Sequence, residues 1–294
     1  MNNIENLKAL TEDLTPVELV EDLYLKREDK FRPFNFSNAN GSKLRQSILL
    51  LLKNKEKIKS GVITCCSIHS PQAVLVASSC KALNVPCTIF YGGTKSEALK
   101  KLDMPLAVLK CGGKIEIPAE TGRSNVLQSI AKKRCERSGE FLVKYGINLI
   151  DNLDVFLSSV AKQVQNIPEE LDNLVITCGS GITSTGILLG LQLFQKKVKN
   201  IYLVGVAPNR VKKIKDNLVE ISSYLGRDVT KIDFNYIDLF NCRGFQYEKK
   251  FKQNHYGINF HGNYEAKTYW WLKNNIDYKK EKTLFWVVGG EIKL

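Results

Sequence analysis

Residues 174–190 read LVITCGSGITSTGILLG, an apolar strand pattern that breaks into a glycine-rich turn and then a helix of small and apolar residues. Such a break aims several backbone N–H groups, and the positive end of the helix dipole, at one point. Glycine lets the chain approach a bound anion closely, and hydroxyl side chains add donors. Gly179, Ser180, Gly181, Ile182 and Thr183 therefore form a candidate anion cup whose simplest ligand is a phosphate monoester. The alternative is a turn whose glycines only let helix and strand pack tightly. Spacing excludes two familiar phosphate motifs. A P-loop carries Lys directly before its closing Ser or Thr, and none stands here. A dinucleotide fingerprint needs G-x-G-x-x-G and an acid about 20 residues on. Gly179, Gly181 and Gly186 do not have that spacing, and residues 200–205 hold no acid.

A second group is the sequence NGSKLRQ at residues 40–46, which places Lys43 just past a turn and ahead of an apolar helix over 47–52. Taken alone, Lys43 is one solvated lysine in a lysine-rich chain. Beside a phosphate cup, a lysine amine is also what captures the aldehyde of pyridoxal 5'-phosphate. That cofactor needs a phosphate holder, an amine and a partner for its pyridine nitrogen.

The elements that must position these groups alternate along the chain. Strand patterns fall at 23–26, 61–66, 87–91, 174–177, 201–206 and 283–288. Helical patterns fall at 71–83, near 95–102, and at 122–137, 155–164, 208–224 and 265–274, with another starting near 183 and a short apolar run at 106–109. No internal repeat or low-complexity tract interrupts them. Alternation of this kind predicts an α/β fold of mainly parallel sheets flanked by helices, split into two lobes with the cofactor cleft between them. Residues 1–47 and 148–294 are expected to form the larger, cofactor-binding lobe, and 48–147 the smaller lobe. Ligands of such sheets sit at the carboxyl ends of strands. The ends at 67–72, at the glycine loop and at 289–290 are expected to converge on one cleft.

Composition narrows the function class. With 44% hydrophobic and 25% charged residues the chain reads as an ordinary soluble, cytoplasmic enzyme. Neither a signal peptide nor a bilayer-spanning stretch is expected. The eight cysteines lack C-x-x-C spacing and read as small buried hydrophobes in a reducing compartment. With three histidines and no paired motif, a protein-bound metal is not expected. The net charge of +13 comes from small lysine clusters that form solvated helix faces or attract an anionic partner such as nucleic acid.

The order of motifs resembles the fold type II, tryptophan synthase β-like pyridoxal-phosphate enzymes. Within them it is most similar to the 1-aminocyclopropane-1-carboxylate deaminase and D-cysteine desulfhydrase family. LKRED at 25–29 resembles that family's K-R-(D/E)-D segment, and NGSKLRQ resembles G-N-K-x-R-K. SIHSPQ at 67–72 resembles G-x-x-S-N-(H/Q), GSGIT resembles G-(S/T)-G-G-T, NYEAK at 263–267 resembles P-V-Y-(E/T)-G-K, and LFWVVGG at 284–290 resembles the closing strand. The matches run in order over nearly the whole chain.

The resemblance implies that Lys43 holds the cofactor as a Schiff base and moves the α-proton, that Gly179 to Thr183 bind its phosphate, and that Glu265 faces the pyridine nitrogen. Glu265 also reads simply as a carboxylate at a helix N-terminus. The resemblance further implies that Ser70 and Gln72 hold a substrate carboxylate, with Ser70 otherwise a plain N-cap. Tyr264 is implied as a second acid or base, or else a core aromatic. Homodimers are common among such relatives, which implies one here.

The departures fall mostly on the substrate side. Pro71 stands where the family has an Asn that bonds the cofactor's ring oxygen, Ser42 replaces the Asn before the lysine, and Val287 replaces a His. Ile182 replaces a glycine of the loop, where a β-branched residue resists positive φ. The expected reaction is that of a deaminase or lyase at the α-carbon of an amino acid. Alternatives are the same chemistry on an amino-acid group attached to a larger anion, such as a modified DNA base, and a cofactor-binding relative with altered catalysis.

Overall fold

The computed structural model describes residues 3–93, 96–99 and 101–292. Along the chain run α1 (Asn3–Glu12), β1 (Val17–Val20), β2 (Leu23–Arg27), α2 (Ser42–Lys53), β3 (Val62–Cys65), α3 (Gln72–Ala82) and β4 (Cys87–Gly92). Then come α4 (Ser96–Leu99), α5 (Asp103–Lys110), β5 (Lys114–Ala119), α6 (Ser124–Ser138), β6 (Phe141–Val143), α7 (Leu153–Ser159) and β7 (Glu170–Cys178). The remainder is α8 (Ile182–Leu193), β8 (Lys197–Gly205), α9 (Val211–Leu225), β9 (Asn235–Asp238), β10 (Asn254–His255), β11 (Ile258–Asn259), α10 (Glu265–Asn275) and β12 (Thr283–Val287).

The chain divides into two compact units. One takes in Arg32–Leu149 together with α1 and Ile292, around a four-stranded parallel sheet in the order β5-β4-β3-β6. Its core joins Ile63, Cys65 and Phe90 of the sheet to Leu127 and Ala131 of α6. The other unit takes in Asp13–Phe31 and Ile150–Glu291. Its six-stranded sheet has the order β1-β2-β12-β7-β8-β9, parallel except for the β1–β2 pair. The segment 32–47, Lys43 included, thus groups with the smaller unit rather than with the larger lobe expected from sequence. The reason is α2, whose apolar face of Leu44, Ile48 and Leu51 is buried and packs on α1 and α3.

Parallel strands covered on both faces read as unbroken apolar runs, and β12 is buried at every position. Among the strands that sequence did not reveal, β1, β5, β6 and β9 are the four edges of the two larger sheets, and β10 and β11 form a separate two-stranded ribbon. Edge strands are short and half solvated, so they lack that apolar signature. The apolar run at 106–109 lies within α5. The pattern at 155–164 divides into α7 and a 3-10 turn at Ala161–Val164. Lys95, at the start of the helix expected near 95–102, lies outside the described residues, as does Lys100.

Every residue of α8 from Ile182 to Leu191 is buried. Gly186 and Gly190, one turn apart on one face, are where the helix meets the 3-10 turn. A Cβ at Gly186 would lie 2.6 Å from Val160 Cγ1, and one at Gly190 would lie 2.5 Å from Val164 Cγ2. Tight packing, read from sequence as the alternative to an anion cup, is therefore the work of these two glycines. Helix propensity alone would favour alanine here by about 1 kcal/mol, but overpacking a close contact costs about 1–3 kcal/mol. Gly190→Ala is expected to lower stability in urea denaturation by about 1–2 kcal/mol; a stabilised variant would contradict the close-packing account.

Candidate active site

The larger unit holds the glycine loop. Strand β7 ends at Cys178, and Gly181 turns the chain into α8 with φ +85° and ψ −14°. A side chain there would be strained, and its Cβ would lie 3.2 Å from Ile214 Cγ1 and 3.3 Å from Arg210 Cβ. Ile182 is the first helical residue and keeps a negative φ, so its β-branch costs the turn nothing. The first intrahelical bond runs from the Thr185 N–H to the Gly181 carbonyl at 2.9 Å. The N–H groups before it lie at the open end of the helix, the kind of donor set that suits an anion. The Thr185 hydroxyl also donates to the Gly181 carbonyl, and Asn217 of α9 donates to that hydroxyl at 3.4 Å. Ser180, Gly181, Ile182 and Thr183 are all buried.

Helix α10 docks beside this loop. The Thr177 hydroxyl at the end of β7 donates to that of Thr268 at 2.9 Å, and a Cβ at Gly179 would lie 3.5 Å from the Tyr264 ring. Glu265 is the first residue of α10 and is 4% exposed, a carboxylate at the positive end of a helix dipole. Strands β7 and β12 are parallel neighbours, so the glycine loop and residues 289–290 emerge at the same end of the sheet. Val287 is buried in the apolar core.

One participant was not foreseen in the sequence. The Tyr247 hydroxyl is hydrogen bonded to that of Tyr264, with the rings edge to face at 5.8 Å. Tyr247 comes from a charged loop without regular structure, and its only sequence signal is the aromatic spacing of Phe245, Tyr247 and Phe251. Buried Lys267 secures that loop. Its ammonium donates to the carbonyls of Gln246 at 2.8 Å, Tyr247 at 3.3 Å and Phe245 at 3.4 Å, and burial pushes its pKa down to about 8. Asn263 Nδ2 adds a bond to the Tyr247 carbonyl at 2.9 Å. The His261 ring stacks edge-on against Tyr264 at 5.0 Å, and its Nδ1 accepts the Asn263 N–H at 3.3 Å. Burial, followed by the charge of Lys250, pushes the His261 pKa down to about 4.

The smaller unit holds Lys43 and Ser70. Lys43 is the second residue of α2, behind Gly41 at φ +94°, and its side chain is only partly buried. The thiol of Cys66, just past β3, bonds Ser70 and feels the Lys43 charge; burial nevertheless pushes it up to about 12. Cys66 was read from sequence only as a buried hydrophobe, although its place at a strand's carboxyl end marks it as near a site.

The turn expected to receive a carboxylate is differently arranged. Pro71 has no N–H, and the Gln72 N–H donates to Ser70 Oγ at 3.3 Å. The Ser70 N–H is taken by the Ser67 carbonyl at 3.0 Å. Gln72 is buried. Its amide donates to Thr64 Oγ1 and the Lys144 carbonyl, and accepts from the Gly146 N–H at 2.7 Å. Gln72 is therefore a brace for the 144–146 loop.

A family model described as "Pyridoxal-phosphate dependent enzyme" matches residues 8–238. The chain belongs to that family. A relative from Salmonella phage ViI, an O-seryl-dTMP PLP-dependent decarboxylase, is 31% identical over a 228-residue alignment that covers 69% of this chain. That match spans about half, 53%, of the relative's length. Among solved structures, an ACC deaminase homologue superposes with a TM-score of 0.77 at 20% identity, covering 99% of this chain and 95% of its own. Threonine deaminase isoform 2 from Solanum lycopersicum follows at 0.62 and 16%, covering 98% and 88%. Maize serine racemase stands at 0.60 and 16%, covering 100% and 95%. These structures share the fold.

Pyridoxal phosphate is the cofactor of this pyridoxal-phosphate dependent enzyme, and the donors present fit it. The Gly181 turn leaves the first N–H groups of α8 outside the helical ladder, donors that suit its phosphate. A buried carboxylate, Glu265, suits a protonated ring nitrogen, and Lys43 is a primary amine with solvent access.

The buried His261 ties the Tyr264 turn to pH. Its folded pKa lies below the ordinary 6.5, so the unfolded chain takes up this proton first as pH falls. Its contribution is therefore neutral above about 6.5 and destabilising toward about 4, by roughly 3 kcal/mol at the low-pH limit. Urea midpoints measured from pH 7 to 4.5 are expected to fall more steeply in the parent than in His261→Gln; equal slopes would contradict this assignment.

Proposed function

We propose that the enzyme acts at the α-carbon of a seryl group carried by a thymidine nucleotide and removes its carboxylate as CO2, a proton taking its place. The observation that carries this reading is the turn at Ser70. A deaminase or racemase must keep its substrate carboxylate held throughout the reaction. Here Pro71 offers no donor, and the N–H groups of Ser70 and Gln72 are engaged within the turn itself. An anion at this helix start gains little, which favours a reaction in which the carboxylate departs. The phage decarboxylase at 31% identity supports the same chemistry and an amino-acid group on a nucleotide. The net charge of +13 suits an anionic substrate.

When bound, the cofactor supplies an electron sink at the substrate α-carbon. Lys43 would hold it and would serve as base or acid at that carbon. Gly179, Ser180, Gly181, Ile182 and Thr183 hold the phosphate through backbone N–H groups and hydroxyls. Glu265 keeps a proton on the ring nitrogen, which strengthens the sink. The Tyr264 hydroxyl, hydrogen bonded to Tyr247, supplies or accepts a proton beside the substrate.

A deaminase or lyase acting on a free amino acid is the second reading, favoured by the 0.77 superposition on the ACC deaminase homologue at the level of fold. Product analysis separates the two. The purified enzyme, given O-seryl-dTMP, is expected to release CO2 without ammonia. Lys43→Ala is expected to lose both the cofactor's absorbance near the violet edge and the activity. Ammonia and a 2-oxo acid from free D- or L-amino acids, with no CO2 from the seryl nucleotide, would establish the second reading instead.

A further inference from the structure

Beside the glycine loop lie two cations that the reading above does not use. Arg210 immediately precedes α9, and its Nε donates to the Gly179 carbonyl at 3.4 Å. Its Cβ packs against Gly181 at the tightest point of the turn. Lys213, three residues on and on the same face of the helix, is half-buried. Among the described residues neither side chain forms an ion pair, whereas the exposed neighbour Lys212 is paired with Asp216 at 2.8 Å. Asp238, at the end of β9, is turned to Asn241, which donates to it from both its backbone and its side chain. Ile214, between the two cations and the helix core, is fully buried against Gly181, so α9 holds both stems in place.

Two like charges packed together and partly desolvated without a counter-ion repel each other and destabilise the fold. Burial, and then the charge of Arg210, lower the Lys213 pKa, as expected for an ammonium with no anion beside it. A dianionic group beside the loop would satisfy both cations, since Arg retains its terminal N–H groups and Lys all three of its donors.

We propose that Arg210 and Lys213 are the side-chain half of the phosphate site whose backbone half is the loop from Gly179 to Thr183. The ligand is a phosphate monoester, belonging either to the cofactor or to a nucleotide substrate. This assignment follows from the loop's surroundings and is independent of which bond the enzyme breaks.

The test compares the parent enzyme with Arg210→Gln/Lys213→Met and with the charge-retaining Arg210→Lys/Lys213→Arg. Apo protein is titrated with pyridoxal phosphate and with pyridoxal, following the absorbance of the lysine-bound form, and separately with thymidine 5'-monophosphate as a competitor of turnover. If the cations hold the cofactor, the neutral double variant binds pyridoxal phosphate roughly 10- to 100-fold more weakly while pyridoxal affinity is unchanged. If they hold the substrate, cofactor affinity is unchanged and thymidine monophosphate inhibition weakens by a similar factor. In either case the charge-retaining variant keeps most of the affinity. A neutral variant with parental circular dichroism and parental affinity for all three ligands would overturn the proposal. If the neutral double variant fails to fold, the single variants Arg210→Gln and Lys213→Met decide: weakened affinity for pyridoxal phosphate or thymidine monophosphate with unaltered pyridoxal affinity supports the assignment, and parental affinities for all three ligands in both refute it.

Discussion

The φ of +85° at Gly181 is the constraint on which the rest of the larger unit depends. A buried strand that ends at Cys178 must become a buried helix at Ile182 within a few residues, and both elements are packed on every side. Glycine makes that turn without strain, and the adjoining side chains of Ile214 and Arg210 leave no room for a Cβ to relax. The same turn leaves the first N–H groups of α8 outside the helical ladder, so a requirement of the fold becomes a binding surface. The Thr185 and Asn217 bonds then lock the loop from behind, and Tyr264 closes one side against Gly179.

The helix starts of the two units, α8 in one and α3 in the other, differ in how they treat anions. At α8 the helix start is open to a ligand. At the start of α3 the corresponding donors are missing or occupied: Pro71 has none, the Gln72 N–H is taken by Ser70 Oγ and the Ser70 N–H by the Ser67 carbonyl. An enzyme that anchors its cofactor firmly but holds a substrate carboxylate weakly is suited to losing that carboxylate. The relationship to the phage decarboxylase points in the same direction, while the deaminase and racemase structures share only the fold.

Much of this was legible in the sequence because the central strands and the glycine loop carry dense local signals. An unbroken apolar run such as residues 284–287 has one interpretation in a parallel sheet. The edge strands β5 and β6 were not legible, because a half-exposed strand borrows its identity from its neighbour. The placement of Lys43 in the smaller unit depends on how α2 packs against α1 and α3, which no local pattern encodes. Tyr247 and Cys66 were missed for a related reason. Tyr247 owes its position to a tertiary contact with Tyr264, and Cys66 to the turn that follows β3. Gln72 was assigned to substrate from its motif, yet its amide is committed to Thr64, Lys144 and Gly146.

The central claim is that the turn at Gly181 receives a phosphate, and the backbone amides of the loop report on it most directly. Amide resonances of Ser180, Gly181, Ile182 and Thr183 should shift strongly when pyridoxal phosphate is added to the apo protein, and much less with pyridoxal, which lacks the phosphate. Loop resonances that move equally with both ligands, or with neither, would contradict the account.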